Sequence, residues 1–130
     1  MAKIEQSCAK SVYDPPTYSQ GIKVTNGQTL LFLSGQVAYE KDGKVGHKGD
    51  FQGQARAVFQ AIKDLVEAGG GTLANVVKLN TYLTDIRHRG DLVPIREEFF
   101  GKKLPASTLV QVSALAHQDW FIEVEAIAVV

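Results

Sequence analysis

Hydrophobic and polar positions alternate in two different periods along this chain. Phe51, Ala55, Val58, Phe59, Ile62, Leu65 and Val66 recur at helical spacing, while Gln52, Arg56, Gln60, Lys63 and Glu67 fall on the opposite side. Asp50 precedes the run as an N-cap and Gly69-Gly70-Gly71 ends it with permissive backbone. A second, shorter helix is predicted over Asp91 to Phe100, with Leu92, Ile95 and Phe99 inward, Pro94 in its first turn and Gly101 as its close. The other apolar runs read as strands: Ile4 to Ser7, Gln20 to Val24, Thr29 to Tyr39, Val76 to Thr84, Ala106 to Leu115 and Phe121 to Val130. Asp14-Pro15-Pro16 marks a loop, Asn26-Gly27 a hairpin turn, and Lys41 to Gly49 a polar, Gly-rich connection.

The order β-β-β-α-β-α-β-β predicts an α+β domain, a mixed sheet with both helices on one face. The other face is then bare. An apolar sheet face left bare implies a partner, so the pattern predicts a homo-oligomer closing sheet against sheet.

The last strand complicates this picture. Glu123 and Glu125 share a face with Phe121, Ile127 and Val129, because side chains on a strand alternate. Charges among aliphatics are expensive unless paired, hydrogen-bonded or wet. The bland explanation is a partly wet face with cross-strand partners. The functional one is a carboxylate held beside water in an apolar interface, available as general base or acid.

Composition narrows the classes. With 130 residues, 45% apolar, the chain suits one compact domain spanning residues 1–130. Fourteen basic and fourteen acidic side chains give zero net charge, and no basic run exceeds two residues, which argues against nucleic acid as a partner. No apolar stretch approaches the ~20 residues that span a bilayer, so no membrane partner is expected. Met1 to Lys10 lacks the apolar core of a signal peptide, and the lone Cys8 cannot form an internal disulfide; both fit a cytoplasmic location. His47, His88 and His117 are scattered without metal-ligand spacing, so no metal is expected.

Other candidates are local. Gly35, in Ser34-Gly35-Gln36, signals a bulge or a close approach by backbone or ligand, with the Ser34 hydroxyl beside a pocket wall as the functional alternative. Tyr18 either enters a strand half-buried or is presented from the Pro loop onto a pocket.

Pro16-x-Tyr18-Ser19-Gln20, Ser34-Gly35-Gln36, Gln54-Ala55-Arg56 and Glu67-Ala68-Gly69 occur in that order. They are followed by Val76-Val77-Lys78, Tyr82-Leu83-Thr84-Asp85, Glu98-Phe99-Phe100, Pro105-Ala106 and Ile122-Glu123-Val124-Glu125-Ala126-Ile127-Ala128. Each is weak alone; in this order, over nearly the whole chain, they resemble the RidA/YjgF family, the reactive intermediate deaminases formerly labelled endoribonuclease L-PSP. The resemblance implies a chorismate-mutase-like subunit and a homotrimer whose sheets form a central barrel. It implies small-molecule substrates bound at subunit interfaces, no cofactor, and hydrolysis of enamines and imines such as 2-aminoacrylate to a keto acid and ammonia.

Carried over residue by residue, the resemblance makes Glu123 the carboxylate that directs the attacking water. Tyr18, Ser34 and Gly35 line the cleft. Glu125 is left a structural role. The family pattern breaks after Pro105-Ala106. Typical deaminases carry an arginine there that grips the substrate carboxylate in a bidentate salt bridge; here it is Ser107. That loss should cost roughly 10²-fold in affinity for an α-carboxylate. Leu109 replaces the usual cysteine, leaving its backbone carbonyl to hold a substrate amine, Val93 replaces a helix asparagine, and the turn before the last strand is longer and carries Trp120. Arg87, Arg89 and Arg96 are the arginines that could compensate. The expectation is therefore an imine or enamine deaminase with a non-standard substrate. The alternative is a non-catalytic trimer of the same fold that binds or senses a small metabolite.

Overall fold

The computed structural model describes residues 2–27 and 29–130. Four strands form the main sheet: β3 (Leu30–Gln36), β6 (Ile122–Val129), β4 (Val76–Leu83) and β5 (Ala106–Gln111), in that spatial order. β6 is antiparallel to both β3 and β4, and β5 is parallel to β4. Helix α1 (Phe51–Ala68) crosses from β3 to β4, and α2 (Arg89–Phe100) from β4 to β5. Parallel neighbours require such crossovers. β1 (Lys3–Gln6) and β2 (Ile22–Thr25) make a separate antiparallel pair. The single mixed sheet expected from the sequence is thus a four-stranded sheet plus a ribbon. Asn26 does take left-handed backbone, φ 58°, but β2 pairs with β1 and not, among the described residues, with β3; Gln28 lies outside them.

The expected α+β class, with both helices on one sheet face, holds. Phe59, Ile62 and Val66 of α1 and Leu92 and Ile95 of α2 join Leu79, Leu83, Ile122 and Val124 in one core. Each of the larger side chains is worth about 1.5–3 kcal/mol when fully buried. Asp50 caps α1 by accepting from the Gly53 N–H, as its position predicts. Leu65, assigned to the inward stripe, is 40% exposed, and the buried polar position on this helix is Gln54. Its amide donates to the Asp119 carbonyl and accepts from the Phe121 N–H, tying α1 to the entry of β6.

Other boundaries shift. α2 begins at Arg89 after a 3₁₀ turn at Ile86–His88, so Pro94 sits beyond the first turn instead of within it. It removes one i→i−4 hydrogen bond, to Gly90, from a helix already held by its apolar side. β3 stops at Gln36 and β5 at Gln111, several residues earlier than the apolar runs suggest. Tyr39 instead forms an isolated bridge with Val45.

Alternation along β6 divides the sheet cleanly. Ile122, Val124, Ala126 and Ala128 face the helices and are buried; Glu123, Glu125 and Ile127 face away and are half-buried. Among the described residues no element covers that second face. Phe32 is 71% exposed and Leu30 52%, with Val110 exposed at the far strand.

Candidate active site

The two glutamates of β6 sit in different surroundings. Glu125 lies opposite Asn80 on β4, and its Oε1 accepts from the Tyr82 hydroxyl at 2.6 Å and from Asn80 Nδ2 at 3.0 Å. The Tyr82 hydrogen bond, then that of Asn80, hold the Glu125 carboxyl below its ordinary pKa, while the same bond keeps the Tyr82 phenol protonated to higher pH than usual. Asn80 and Tyr82 stand two residues apart on a strand, so one face delivers both donors. Sequence reasoning passed over them; the signal was a pair of polar groups at period two in an otherwise apolar strand.

Glu123 lies opposite Tyr82 in the ladder, but among the described residues its carboxylate has no hydrogen bond or ion pair. It is seated on Gly35. Between Leu33 and Gln36 the β3–β6 register shifts: three steps on β3 match two on β6. This is the bulge that Gly35 suggested. A Cβ at residue 35 would stand 2.1 Å from Glu123 Oε2, so only glycine leaves the carboxylate its place. Ser34, beside it, is exposed, and its carbonyl accepts from the Gln36 amide.

The remaining candidates converge elsewhere. Ser19 forms a parallel bridge with Ala106, its N–H donates to the Pro105 carbonyl, and its buried hydroxyl donates to the Leu104 carbonyl. These bonds anchor the Pro loop against the start of β5 and bring Tyr18 beside Ser107. Tyr18, Ser107 and Leu109 line one cavity of about 330 Å³ together with Val93, Arg89 and Arg96. Leu109 faces the helices and packs against the core, and Ser107 shares its side of β5. That cavity does not include Glu123, Ser34 or Gly35. One chain therefore keeps these candidates in two places, a carboxylate on the open sheet face and a cavity between α2, β5 and the Pro loop.

Of the arginines, Arg87 is spent on Asp85, whose carboxyl it draws down to about 2. Arg89 and Arg96 reach the cavity. Trp120 does not. It is buried, donates from Nε1 to the Ala38 carbonyl at 3.0 Å and packs edge-on against Tyr39. His47, His88 and His117 stay apart from one another's chemistry; His88 stacks on Phe51 at 4.2 Å. Among the described residues no three His, Cys, Asp or Glu side chains gather as a metal site would require, and no helix is long and apolar enough to cross a membrane.

The family model described as endoribonuclease L-PSP matches residues 10–130. A RutC family protein of Pyrococcus horikoshii is 40% identical over 112 residues, 85% of each chain. Protein HMF1 of Saccharomyces cerevisiae is 36% identical, covering 83% of this chain and 81% of its own. Among solved structures, RidA from an Antarctic Psychrobacter superposes with a TM-score of 0.72 at 35% identity, covering 88% of this chain and 89% of its own. A Yersinia pestis protein of unknown function from the conserved Rid family gives 0.87 over 98% of each chain at 24% identity, a likeness of fold. With its ordered motifs, its strand-face glutamates and these relatives, the chain belongs to the YjgF/RidA family.

Proposed function

We propose that the protein is a hydrolytic deaminase of reactive enamine or imine intermediates, working in clefts between the subunits of a homotrimer. The observation that carries this reading is Glu123: a carboxylate without partners among the described residues, seated on a glycine that a bulge brings beneath it. A structural carboxylate in such a strand looks like Glu125, with its hydrogen bonds filled.

In the proposed reaction an enamine first tautomerises to the imine. Glu123 accepts a proton from water as the water oxygen adds to the imine carbon and returns it to the imine nitrogen, giving a neutral carbinolamine. Glu123 then takes the carbinolamine hydroxyl proton and passes it to the nitrogen as the C–N bond breaks, and carbonyl product and ammonia leave. Carbonyl oxygens near Ser107 and Leu109 hold the amine. General acid–base assistance of this kind contributes about 10²–10⁴-fold.

The separation of the carboxylate from the cavity supports a cleft completed by a second copy. Glu123 lies on the face that none of the described residues of its own chain covers, and the exposed Phe32 and Leu30 lie on the same sheet. Sheet-to-sheet closure would bury them and bring a neighbour's cavity to Glu123. Ser107, in place of the usual arginine, points to a substrate other than the small amino-acid imines.

The test is ammonia release from 2-aminoacrylate and from bulkier cyclic or aromatic imines. The proposal expects turnover of the bulkier group to exceed that of 2-aminoacrylate, and Glu123→Gln to lower both by about 10²–10⁴-fold. Equal or better turnover of 2-aminoacrylate would sink the altered-substrate part. The missing arginine at Ser107 favours one rival, a trimer that binds a metabolite without turning it over. Under that rival no imine is hydrolysed, and ligand binding is unchanged in Glu123→Gln.

A further inference from the structure

Arg96 occupies a position on α2 that a hydrophobic residue would normally fill. It follows Ile95 and stands one turn after Leu92, on the side of the helix that meets the core. It is 7% exposed, and its Nε and Nη2 have no hydrogen-bond partner. Among the described residues no carboxylate pairs with it. Of the acidic side chains of α2, Asp91 approaches His88 and Glu98 holds Arg56, while Glu97 borders, with Lys102, a neighbouring cavity that Arg96 also lines, without pairing with it. Burial pulls the Arg96 pKa below its ordinary value, yet a guanidinium keeps its charge in proteins. An uncompensated buried charge is among the costliest features a fold can carry, and an apolar side chain of similar volume would remove the cost.

The cavity it faces has a consistent character. Arg89 stands seven residues earlier, two turns along the same side of α2, and lines the same space. Tyr18 and Ser107 add hydroxyls, while the Thr108 hydroxyl accepts from Lys78 on the opposite face of the sheet. No aspartate or glutamate lines the cavity. Two guanidinium groups and the hydroxyls of Tyr18 and Ser107 around about 330 Å³, with no acid, form a receptor for an anion.

We propose that this cavity is a carboxylate-binding site in which Arg96 is the primary anchor and Arg89 a second cation. The identity of the ligand as an imino or enamino acid rests on the deaminase reading above; the anion site itself does not. The carboxylate anchor would then be supplied by α2 and not by β5, and the room vacated at Ser107 would accept a substituent of the substrate. The loss at Ser107 and the expense at Arg96 become two sides of one change: the charge has moved from a strand to a helix. The substrate class is a 2-imino acid whose side chain occupies the Ser107 corner.

The test uses stable ligands and the intact protein. Binding of 2-oxobutyrate and of its neutral methyl ester is measured by titration calorimetry for wild type, Arg96→Gln, Arg96→Lys, Arg89→Gln and Glu123→Gln. The expected result is an acid bound at least tenfold more tightly than its ester. That preference should vanish in Arg96→Gln, fall in Arg96→Lys because the planar fork is lost, weaken in Arg89→Gln, and survive in Glu123→Gln. An ester bound as well as the acid in wild type overturns the proposal. So does an unchanged preference in both Arg96→Lys and Arg89→Gln, which holds even if Arg96→Gln does not fold. An Arg96→Gln protein that sediments as a monomer while keeping the preference assigns Arg96 to a subunit contact and likewise overturns it. Acid preference without any imine hydrolysis leaves the anion site standing and removes the deaminase reading.

Discussion

Glu123 and Glu125 stand two residues apart on one face of one strand, and almost nothing else about them is alike. Glu125 accepts two side-chain hydrogen bonds from β4. Glu123 accepts none among the described residues and rests on the one position of β3 where a side chain would collide with it. The pair teaches that a charge in an apolar strand has two ways of persisting. It can be fully partnered, in which case it holds strands together. Or it can be left unpaired, in a space kept open by glycine, which is the arrangement the proposed water-directing role requires. Arg96 repeats the second pattern with the opposite sign on the other side of the sheet.

The sharpest way to break the comparison is to neutralise each carboxylate in turn. Glu123→Gln should lower imine hydrolysis by about 10²–10⁴-fold with little change in melting temperature. Glu125→Gln should do the reverse, leaving the rate per folded protein near wild type and lowering the melting temperature. Steady-state ammonia release and calorimetric melting on the same preparations decide it. Equal kinetic losses in both variants would remove the distinction.

The next test asks whether Glu123 needs a neighbour and Glu125 does not. Phe32→Asp places a charge on the uncovered face, where the wild-type side chain is 71% exposed in the single chain. If that face is a subunit contact, each subunit loses about 1.5–3 kcal/mol of burial and gains a buried charge, so association should weaken by about 10³-fold or more. Sedimentation should show monomers, hydrolysis should fall with the oligomer, and the Tyr82–Glu125 contact, which is internal to one chain, should persist. A Phe32→Asp protein that stays oligomeric and active would move the interface elsewhere.

Gly35→Ala attacks the seat of Glu123 directly. The new methyl would occupy the carboxylate's position, so the side chain, the bulge or both must shift. A displacement of about 1 Å at a catalytic group costs roughly 10²-fold in rate. The expected signature is a fall in kcat larger than any rise in KM. Wild-type kinetics would mean that the glycine serves the bulge alone.

How far the sequence carries these distinctions depends on the kind of interaction. Asp50, the α1 stripe and the alternation of β6 are local periodicities, and all were legible, as was the bulge at Gly35. The partners of Glu125 were not, because Tyr82 meets it only through the β4–β6 register, and register between strands forty residues apart is set by the whole sheet. The separation of β1–β2 from the main sheet escaped for the same reason: the Asn26-Gly27 signal describes a turn, not which strands it pairs. Arg96 was visible as a residue but not as a feature. The inward set read from the sequence was Leu92, Ile95 and Phe99, and only the structure shows Arg96 buried beside them with no acid pairing with it among the described residues.

The mildest test sharpens the structural half of the pair. Tyr82→Phe removes the shorter of the two hydrogen bonds on Glu125 and leaves Asn80 in place. Because the site is half-exposed, the loss should be about 1 kcal/mol, a few degrees in melting temperature for a chain of this size. Its dependence on pH has a definite sign. Glu125 has its folded pKa lowered from 4.5, so its contribution is fully present above that value and disappears as pH falls through the lower, folded value. Tyr82 has its folded pKa raised from 10.0, so its contribution is present below that value and is lost as pH rises through the higher one. The difference between wild type and Tyr82→Phe should therefore be level across the neutral range and shrink below about pH 4.5, as the carboxylate that accepts the bond is protonated. Melting curves at closely spaced pH values measure it. A gap that is unchanged on acidification would mean that Tyr82 stabilises the strand by packing alone, and Glu125 would then need another explanation for its place in an apolar strand.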